Sequence, residues 1–236
     1  MPATARTDDH THAVSDGALL ELARDRSEPA AREFMQRYNQ RLYRVAYSIL
    51  QSAADAEEIV QDIYVKLFTG QAVFKGNAAM ATWLTRIAAN AALDRRRTQR
   101  RRTRLLEERG IAMIRTRSTD TDDTPISHAS PESDTARYEL ARRLEAAMEK
   151  ISDTFRPVFV LREIEGLSIE ETSAALGLAV NTVKSRHARA RRQLAAMLEP
   201  DWRDILQGTF PFAGTRCADL ADRVIHHLQT QWKGRN

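Results

Sequence analysis

The chain has 236 residues, 42% hydrophobic and 29% charged, the composition of a core-forming protein with one large domain or two small ones rather than of a disordered chain. Its 36 Lys and Arg against 32 Asp and Glu leave a net charge of only +4, but the basic residues are mostly Arg and are clustered, so local fields matter more than the total. One cysteine, Cys217, excludes an intramolecular disulfide framework and a thiolate metal cage, and reads as a small buried apolar residue.

The start, MPATARTDDHTHAVSDG, has no apolar core for a signal peptide, and no apolar run long enough to span a bilayer follows, so the chain reads as cytoplasmic. Residues 1–16 read as disordered. Phe34, Tyr38, Leu42, Val45 and Ile49 then recur at helical spacing and define one long amphipathic helix. Ser52 with Asp55 three places on resembles a capping box, and the stripe Ile59, Ile63, Leu67, with Val60 and Tyr64 beside it, predicts a second helix. A third is expected from about Ala78 to Arg100, with Trp83, Ile87 and Ala91 on one face. Together these make a helical bundle over residues 17–104.

From about Leu105 to Ala136 the periodicity fails. The stretch Thr119 to Asp134 carries five acidic residues, two prolines and no Lys or Arg, which cannot bury a core and reads as a flexible acidic linker over 105–136. Helical spacing returns with Leu140, Leu144, Ala147 and Ile151 and runs through Val158 to Ile164 before breaking at Gly166. This opens a second helical domain, 137–199. Beyond Pro200, an aromatic turn at Phe210 to Phe212 precedes Leu220, Val224 and Leu228, the stripe of an extra helix in a 200–236 extension that could dock on the second domain. No strand-like alternation is long enough for a sheet, so the fold class is all-α.

The most informative stretch is SIEETSAALGLAVNTVKSRHARARRQL, from Ser168 to Leu194. Ser168 with Glu171 satisfies a capping box, Gly177 can end that helix in the left-handed region, and small Ser173 permits close helix crossing. A following helix from about Val180 has Val180, Val183, Ala190 and Leu194 as its inward face. This is the layout of a helix-turn-helix. Between Val180 and Arg192 the second helix carries Lys184, Arg186, Arg189, Arg191 and Arg192 with no acidic residue. Asn181, Thr182, Lys184 and Ser185 near its N-terminus can reach base edges, and the arginines further along can pair with phosphate or guanine.

The stretch from Phe159 to Leu194 resembles region 4 of the extracytoplasmic-function sigma factors. ADAEEIVQDIYVKLF followed by ATWLTRIAANAALDRRR resembles their region 2, in the right order and separated by a linker. The resemblance implies two helical domains that bind core RNA polymerase and recognise promoter DNA at minus-10 and minus-35 elements. It implies that Asp55, Glu58, Gln61 and Asp62 dock on the clamp helices of the largest polymerase subunit, where an acidic ridge suits a basic helical partner. Region 4 would meet the flap of the second largest subunit.

Phe74, Lys75, Gly76 and Asn77 would form the loop that captures a base flipped from the minus-10 element, a step costing a few kcal/mol that stacking and polar contacts must offset. Trp83, Arg86, Asn90, Asp94 and Arg95 follow on the third helix. Trp83 serves either core packing or stacking at the melted junction. The arginines at 95, 96, 97, 100, 101, 102 and 104 bind backbone phosphate or simply solubilise a helix end. Arg162, Asn181, Thr182, Lys184, Ser185, Arg186, Arg189 and Arg192 would serve the minus-35 element, Arg162 by reaching phosphate from the preceding helix.

The linker would lie in the RNA exit path, where Asp120, Asp122 and Asp123 could mimic RNA charge. An anti-sigma factor is a further implied partner. Two features depart from the family: His187 stands on the inward face where an aliphatic residue is usual, so the helix packs more loosely or presents the imidazole to a neighbour, as a packed neutral ring rather than a pH switch, and the extension beyond Pro200 is not part of the minimal family.

Other classes fit less well. His10, His12, His128, His226 and His227 lack metal-ligand spacing, and there is no phosphate-cradling glycine loop and no paired nucleophile and base, so no metal, cofactor, small-molecule substrate or catalytic residue is expected. A stand-alone regulator would share the helix-turn-helix but would bring a receiver or ligand-binding domain, and the first 100 residues show no parallel-sheet pattern.

Overall fold

The computed structural model describes residues 14–76, 78–108, 143, 146–198 and 215–233. The segments 1–13, 109–142 and 199–214, and with them the acidic linker, Asn77 and the aromatic turn at Phe210, lie outside the described residues, as does the side chain of Cys217. All regular elements among the described residues are helical.

The first domain opens with a helix that periodicity did not announce. α1 (Asp16–Arg24) is capped by Ser15, whose hydroxyl accepts the Ala18 N–H at 3.3 Å, and it buries Leu19, Leu20 and Ala23. α2 (Glu28–Leu50) starts at Pro29 in its first turn and runs beyond the Phe34–Ile49 stripe in both directions. Phe34, Tyr38, Leu42, Val45 and Ile49 are all buried on it, and Phe34 meets Tyr64 and Phe68 edge-on, with centroids 6.4 and 5.9 Å apart. α3 (Ala53–Phe68) is capped by Ser52, which accepts the Asp55 N–H at 3.3 Å, and buries Ile59, Val60, Ile63, Tyr64 and Leu67.

α4 (Met80–Glu108) is longer than expected, and its core face is displaced by one position. Met80, Leu84, Ala88 and Ala92 are buried, whereas Trp83, Ile87 and Ala91 stand at the rim, packed against the core but partly exposed. The physical reason is size: alanines at 88, 89 and 92 allow close packing against the neighbouring helices, and the larger side chains are accommodated at the edge.

In the second domain the helix expected to continue through Val158 is broken. Residues 146–150 are helical, the chain turns at Asp153–Phe155, and α5 (Arg156–Phe159) passes directly into a π-helical turn, Val160–Ile164. Arg156, 4% exposed, holds this break by donating to the carbonyls of Met148 (2.7 Å), Glu149 (3.0 Å) and Ile151 (2.5 Å). Its guanidinium thus satisfies helix-end carbonyls that would otherwise be orphaned.

α6 (Ile169–Leu176) carries the complete capping box: Glu171 N–H to Ser168 Oγ is 3.0 Å and Ser168 N–H to Glu171 Oε2 is 2.7 Å. Gly177 ends it at φ 62°, and the Ser173 hydroxyl donates to the Leu178 carbonyl across the turn. α7 (Val180–Ala195) buries Val183, Ala190 and Leu194. Val180, expected inward, is 37% exposed because it is the first residue of the helix, beyond the reach of the packing partners.

The two domains are in contact. Val158, Leu161, Leu167, Ala175, Leu176 and Val183 belong to the same apolar cluster as the α1–α4 core, while Phe159, Val160, Ala190 and Leu194 form a smaller one with Ala147, Met148 and Ile151. The C-terminal helix α8 (Thr215–Lys233) docks on the first domain, against α2 and α3, and not on the second as its place in the sequence suggested. Its Leu220, Val224, Ile225 and Leu228 are buried, each contributing about 1.5–3 kcal/mol as an upper estimate. Ion pairs Arg32–Asp222 (2.7 Å) and Arg223–Glu57 (2.6 Å) and a Gln229–Glu28 hydrogen bond (3.1 Å) set its register.

Leu228→Ala should weaken this docking by about 2–5 kcal/mol. Hydrogen exchange across residues 219–230 should accelerate while α7 stays protected; unchanged exchange in α8 would contradict the packing described.

Candidate promoter and polymerase surfaces

Three surfaces gather the residues singled out in the sequence. On α3, Asp62 is exposed and Glu58 is 54% exposed, forming the acidic ridge, but Asp55 is drawn inward. Arg95 of α4 spans both acids: its Nη2 lies 3.0 Å from Asp55 Oδ1, and its guanidinium also grips Glu58. Gln99 adds a bond to Asp55 Oδ2 at 3.0 Å. Partial burial pushes the Asp55 carboxyl up, but hydrogen bonds from Arg95, Ser52 and Gln99 outweigh it and hold the group below its ordinary range. Arg95, assigned with the minus-10 residues, is therefore a brace between α3 and α4 that positions two of the four ridge residues. Gln61 faces the other way, into a groove shared with Asp222, Arg223 and His226 of α8.

The second surface is the loop between α3 and α4 and the outer face of α4. Phe74 and Trp83 lie against each other, centroids 5.2 Å apart at 56°, both partly exposed. Trp83 is thus neither core nor free, but one wall of an aromatic pair open to solvent. Lys75 and Gly76 are exposed. Gly76 has φ 72°, and an added Cβ there would meet nothing within 4 Å, so the glycine serves the turn rather than a close approach. Arg86 and Asn90 are exposed one turn apart, and Asp94 continues the row, paired with Arg97 at 2.9 Å. Asn77 lies outside the described residues.

Arg24 of α1, which drew no attention in the sequence, holds this loop by donating to the carbonyls of Leu67 (3.1 Å) and Ala72 (2.8 Å). No local pattern could have revealed it, because its partners are 43 and 48 residues away.

The third surface is α7. Asn181, Lys184, Ser185, Arg189 and Arg192 are exposed on one contiguous outward face. Thr182 and Arg186 are partly buried at its edge, Arg186 entering a cleft at the domain seam with Arg96 and Arg100. Arg162 does not join them. It is half-buried and donates to the Leu167 carbonyl within its own turn. His187 meets a polar neighbour, with Nε2 2.6 Å from Glu163 Oε1 and Arg191 3.7 Å from the same oxygen. The ring is thereby fixed by an acid from the π-turn rather than packed in apolar surroundings. The arginine run of α4 also divides: Arg95 turns to α3, Arg96 and Arg100 to the seam, and Arg97, Arg101, Arg102 and Arg104 outward.

Among the described residues no group of three His, Cys, Asp or Glu could hold a metal ion, and no helix is long and apolar enough to cross a membrane. Arg95→Ala should lower stability at neutral pH by about 1 kcal/mol, the network being partly exposed. Because the folded Asp55 pKa is depressed, that contribution is present above the unfolded carboxylate pKa of about 3.9 and disappears as pH falls through the lower folded value. Urea unfolding at pH 7 and in strong acid should show the two proteins diverging in the first case and converging in the second; a pH-independent difference would refute the network.

The chain matches the family models for Sigma-70 region 2 over residues 34–102 and Sigma-70 region 4 over residues 141–194. Among similar proteins, the ECF RNA polymerase sigma factor SigE of Mycolicibacterium smegmatis is 34% identical over 166 residues, which cover 70% of this chain and 60% of that protein, less than two thirds of its length. SigM of Mycobacterium tuberculosis, also an ECF RNA polymerase sigma factor, is 33% identical over 190 residues, 79% of this chain and 86% of that one. A solved structure of the sigma factor RpoE in complex with the anti-sigma factor NepR from Bartonella quintana is 25% identical and covers 77% of this chain and 95% of that chain, with a TM-score of 0.48. With both regions matched in order, and a third of positions shared with SigM over most of both chains, this chain belongs to the ECF RNA polymerase sigma factors, the subunits that direct RNA polymerase to promoters.

Proposed function

We propose that this sigma factor docks on the clamp helices of the largest polymerase subunit through the α3 ridge of Glu58 and Asp62, with Gln61 on the flank beside α8 and Asp55 held in place by Arg95. It then reads two promoter elements with separate surfaces. The observation that carries the reading is the outward face of α7, where Asn181, Lys184, Ser185, Arg189 and Arg192 stand together with no acidic residue between Val180 and Arg192. A helix so charged, offered by a helix-turn-helix, suits the major groove of the minus-35 element. Phe74 and Trp83, with Arg86 and Asn90 alongside, supply stacking walls and polar edges for a base extruded from the minus-10 element. Residues 17–104 and 137–199 are the two working domains in this reading.

Further partners belong to the same proposal: the flap of the second largest subunit for the second domain, and an anti-sigma factor. The protein works where polymerase works, in the cytoplasm, and contributes no chemistry of its own. The acidic residues Asp120, Asp122 and Asp123 lie outside the described residues.

Run-off transcription with purified core polymerase should give initiation at defined sites only when this chain is added. Lys184→Ala and Arg189→Ala should each cost about 1–3 kcal/mol of promoter affinity, with the loss confined to changes in the upstream element. Trp83→Ala should leave upstream binding intact and reduce strand opening, read by permanganate reactivity of unpaired thymines. Sequence-specific binding without polymerase-dependent initiation would overturn the proposal.

A further inference from the structure

The inward stripe of α7 is thin. Val183, Ala190 and Leu194 are buried, but one of the three is an alanine, and the turn between Val183 and Ala190 is filled by His187. So small an apolar stripe resists lifting the helix off its neighbours better than it resists rolling it, because apolar attraction has no preferred direction. Rolling matters for a helix that reads bases. Side chains leave its surface about 5–6 Å from the axis, so a roll of about 10° displaces them by about 1 Å, the margin between a sound hydrogen bond and a lost one.

Glu163 supplies the missing direction. It stands in the π-helical turn, which the Glu165 N–H closes on the Val160 carbonyl at 2.9 Å, and its side chain is 26% exposed. His187 donates through Nε2 to Glu163 Oε1 at 2.6 Å, and Arg191 Nε lies 3.7 Å from the same oxygen. These two partners are four residues apart on α7, so one carboxylate holds the helix at two successive turns of a single face. The same contact sorts the cations of α7. Lys184, Arg189 and Arg192 are exposed on the reading face and Arg186 enters the cleft, whereas Arg191 is partly buried and set against Glu163. A phosphate contact from Arg191 carries no sequence information, so holding that residue back removes attraction common to all DNA and leaves base readout intact.

We infer that Glu163 is a positioning residue that sets promoter discrimination: through His187 it fixes the roll of the recognition helix, and through Arg191 it withholds one cation from the DNA backbone. The inference rests on the reading of α7 given above. Glu163 and His187 act without touching DNA, and the two effects carry different signatures. Loss of the His187 tether weakens binding to the correct sequence, whereas release of Arg191 strengthens binding to any sequence and makes it more sensitive to salt.

The test uses the full chain bound to core polymerase. Affinity is measured across a salt series for a promoter fragment found by run-off transcription and for the same fragment with its upstream element scrambled. Glu163→Gln keeps an acceptor for His187 but removes the charge facing Arg191. It should bind the scrambled fragment more tightly, with the slope of log affinity against log salt steeper by about 0.9, one more phosphate neutralised. Adding Arg191→Ala to that variant should restore the original slope. His187→Ala should leave the slope unchanged and cost roughly tenfold in affinity for the intact promoter alone, the equivalent of one base contact. Glu163→Ala should show both effects. A variant that merely folds poorly loses affinity for both fragments and cannot gain a steeper slope. If the unmutated protein discriminates the two fragments, then a slope no steeper in Glu163→Gln, or an unchanged preference in both Glu163→Ala and His187→Ala, would overturn the role of Glu163. Equal affinity of the unmutated protein for both fragments would overturn the reading of α7 itself, and this inference with it.

Discussion

The structure depends on α2, a long helix about half of whose residues are buried against its neighbours. Its apolar residues face α1, α3, α4, the second domain and α8, and its polar residues are tied outward in turn. Glu28 and Arg32 hold α8, Arg37 and Tyr38 hold Asp16 of α1, and Arg41 and Arg44 hold Glu165. A helix flanked on so many sides cannot shift without moving every partner. It is therefore the fixed frame against which the α3 ridge, the Phe74–Trp83 pair and the recognition helix take their places.

Arginine does four different jobs here, and geometry decides which. Arg156 replaces missing helix hydrogen bonds, and Arg24 and Arg95 brace neighbouring elements. Arg41 and Arg44 neutralise a buried acid, and Arg189 and Arg192 remain exposed for a polyanion. The planar five-donor fork of guanidinium explains why one residue type suits all four. It also means that a run of arginines in a sequence cannot be read as one surface: within Arg95 to Arg104, successive residues on a helix face opposite partners.

The extension beyond the second domain shows how chain order and spatial order separate. α8 follows the helix-turn-helix in sequence yet completes the first domain, because its stripe of Leu220, Val224 and Leu228 finds apolar cover between α2 and α3. It lines a groove beside Gln61, so the flank of the proposed polymerase ridge is shaped by residues more than 150 positions away.

Local physics made much of this protein legible in its sequence. The stripes of α2 and α3 were readable from spacing, and α6 and its turn from the Ser168–Glu171 box and Gly177. The outward charge of α7 was readable because these signals lie within one or two helical turns. Periodicity misplaced the core face of α4 by one residue, since alanine and tryptophan count alike as apolar but do not pack alike. It also missed α1, whose stripe is too short to stand out, and the break held by Arg156. The sequence by itself determined which helices form and which faces are charged. Only the tertiary structure decided that Arg95 serves Asp55 and Glu58, that Arg162 and His187 are engaged within the second domain, that α8 joins the first, and that Glu165 meets Arg41 and Arg44. Each of those outcomes depends on which side chains packing brings together across turns, helices or domains, information that no local period carries.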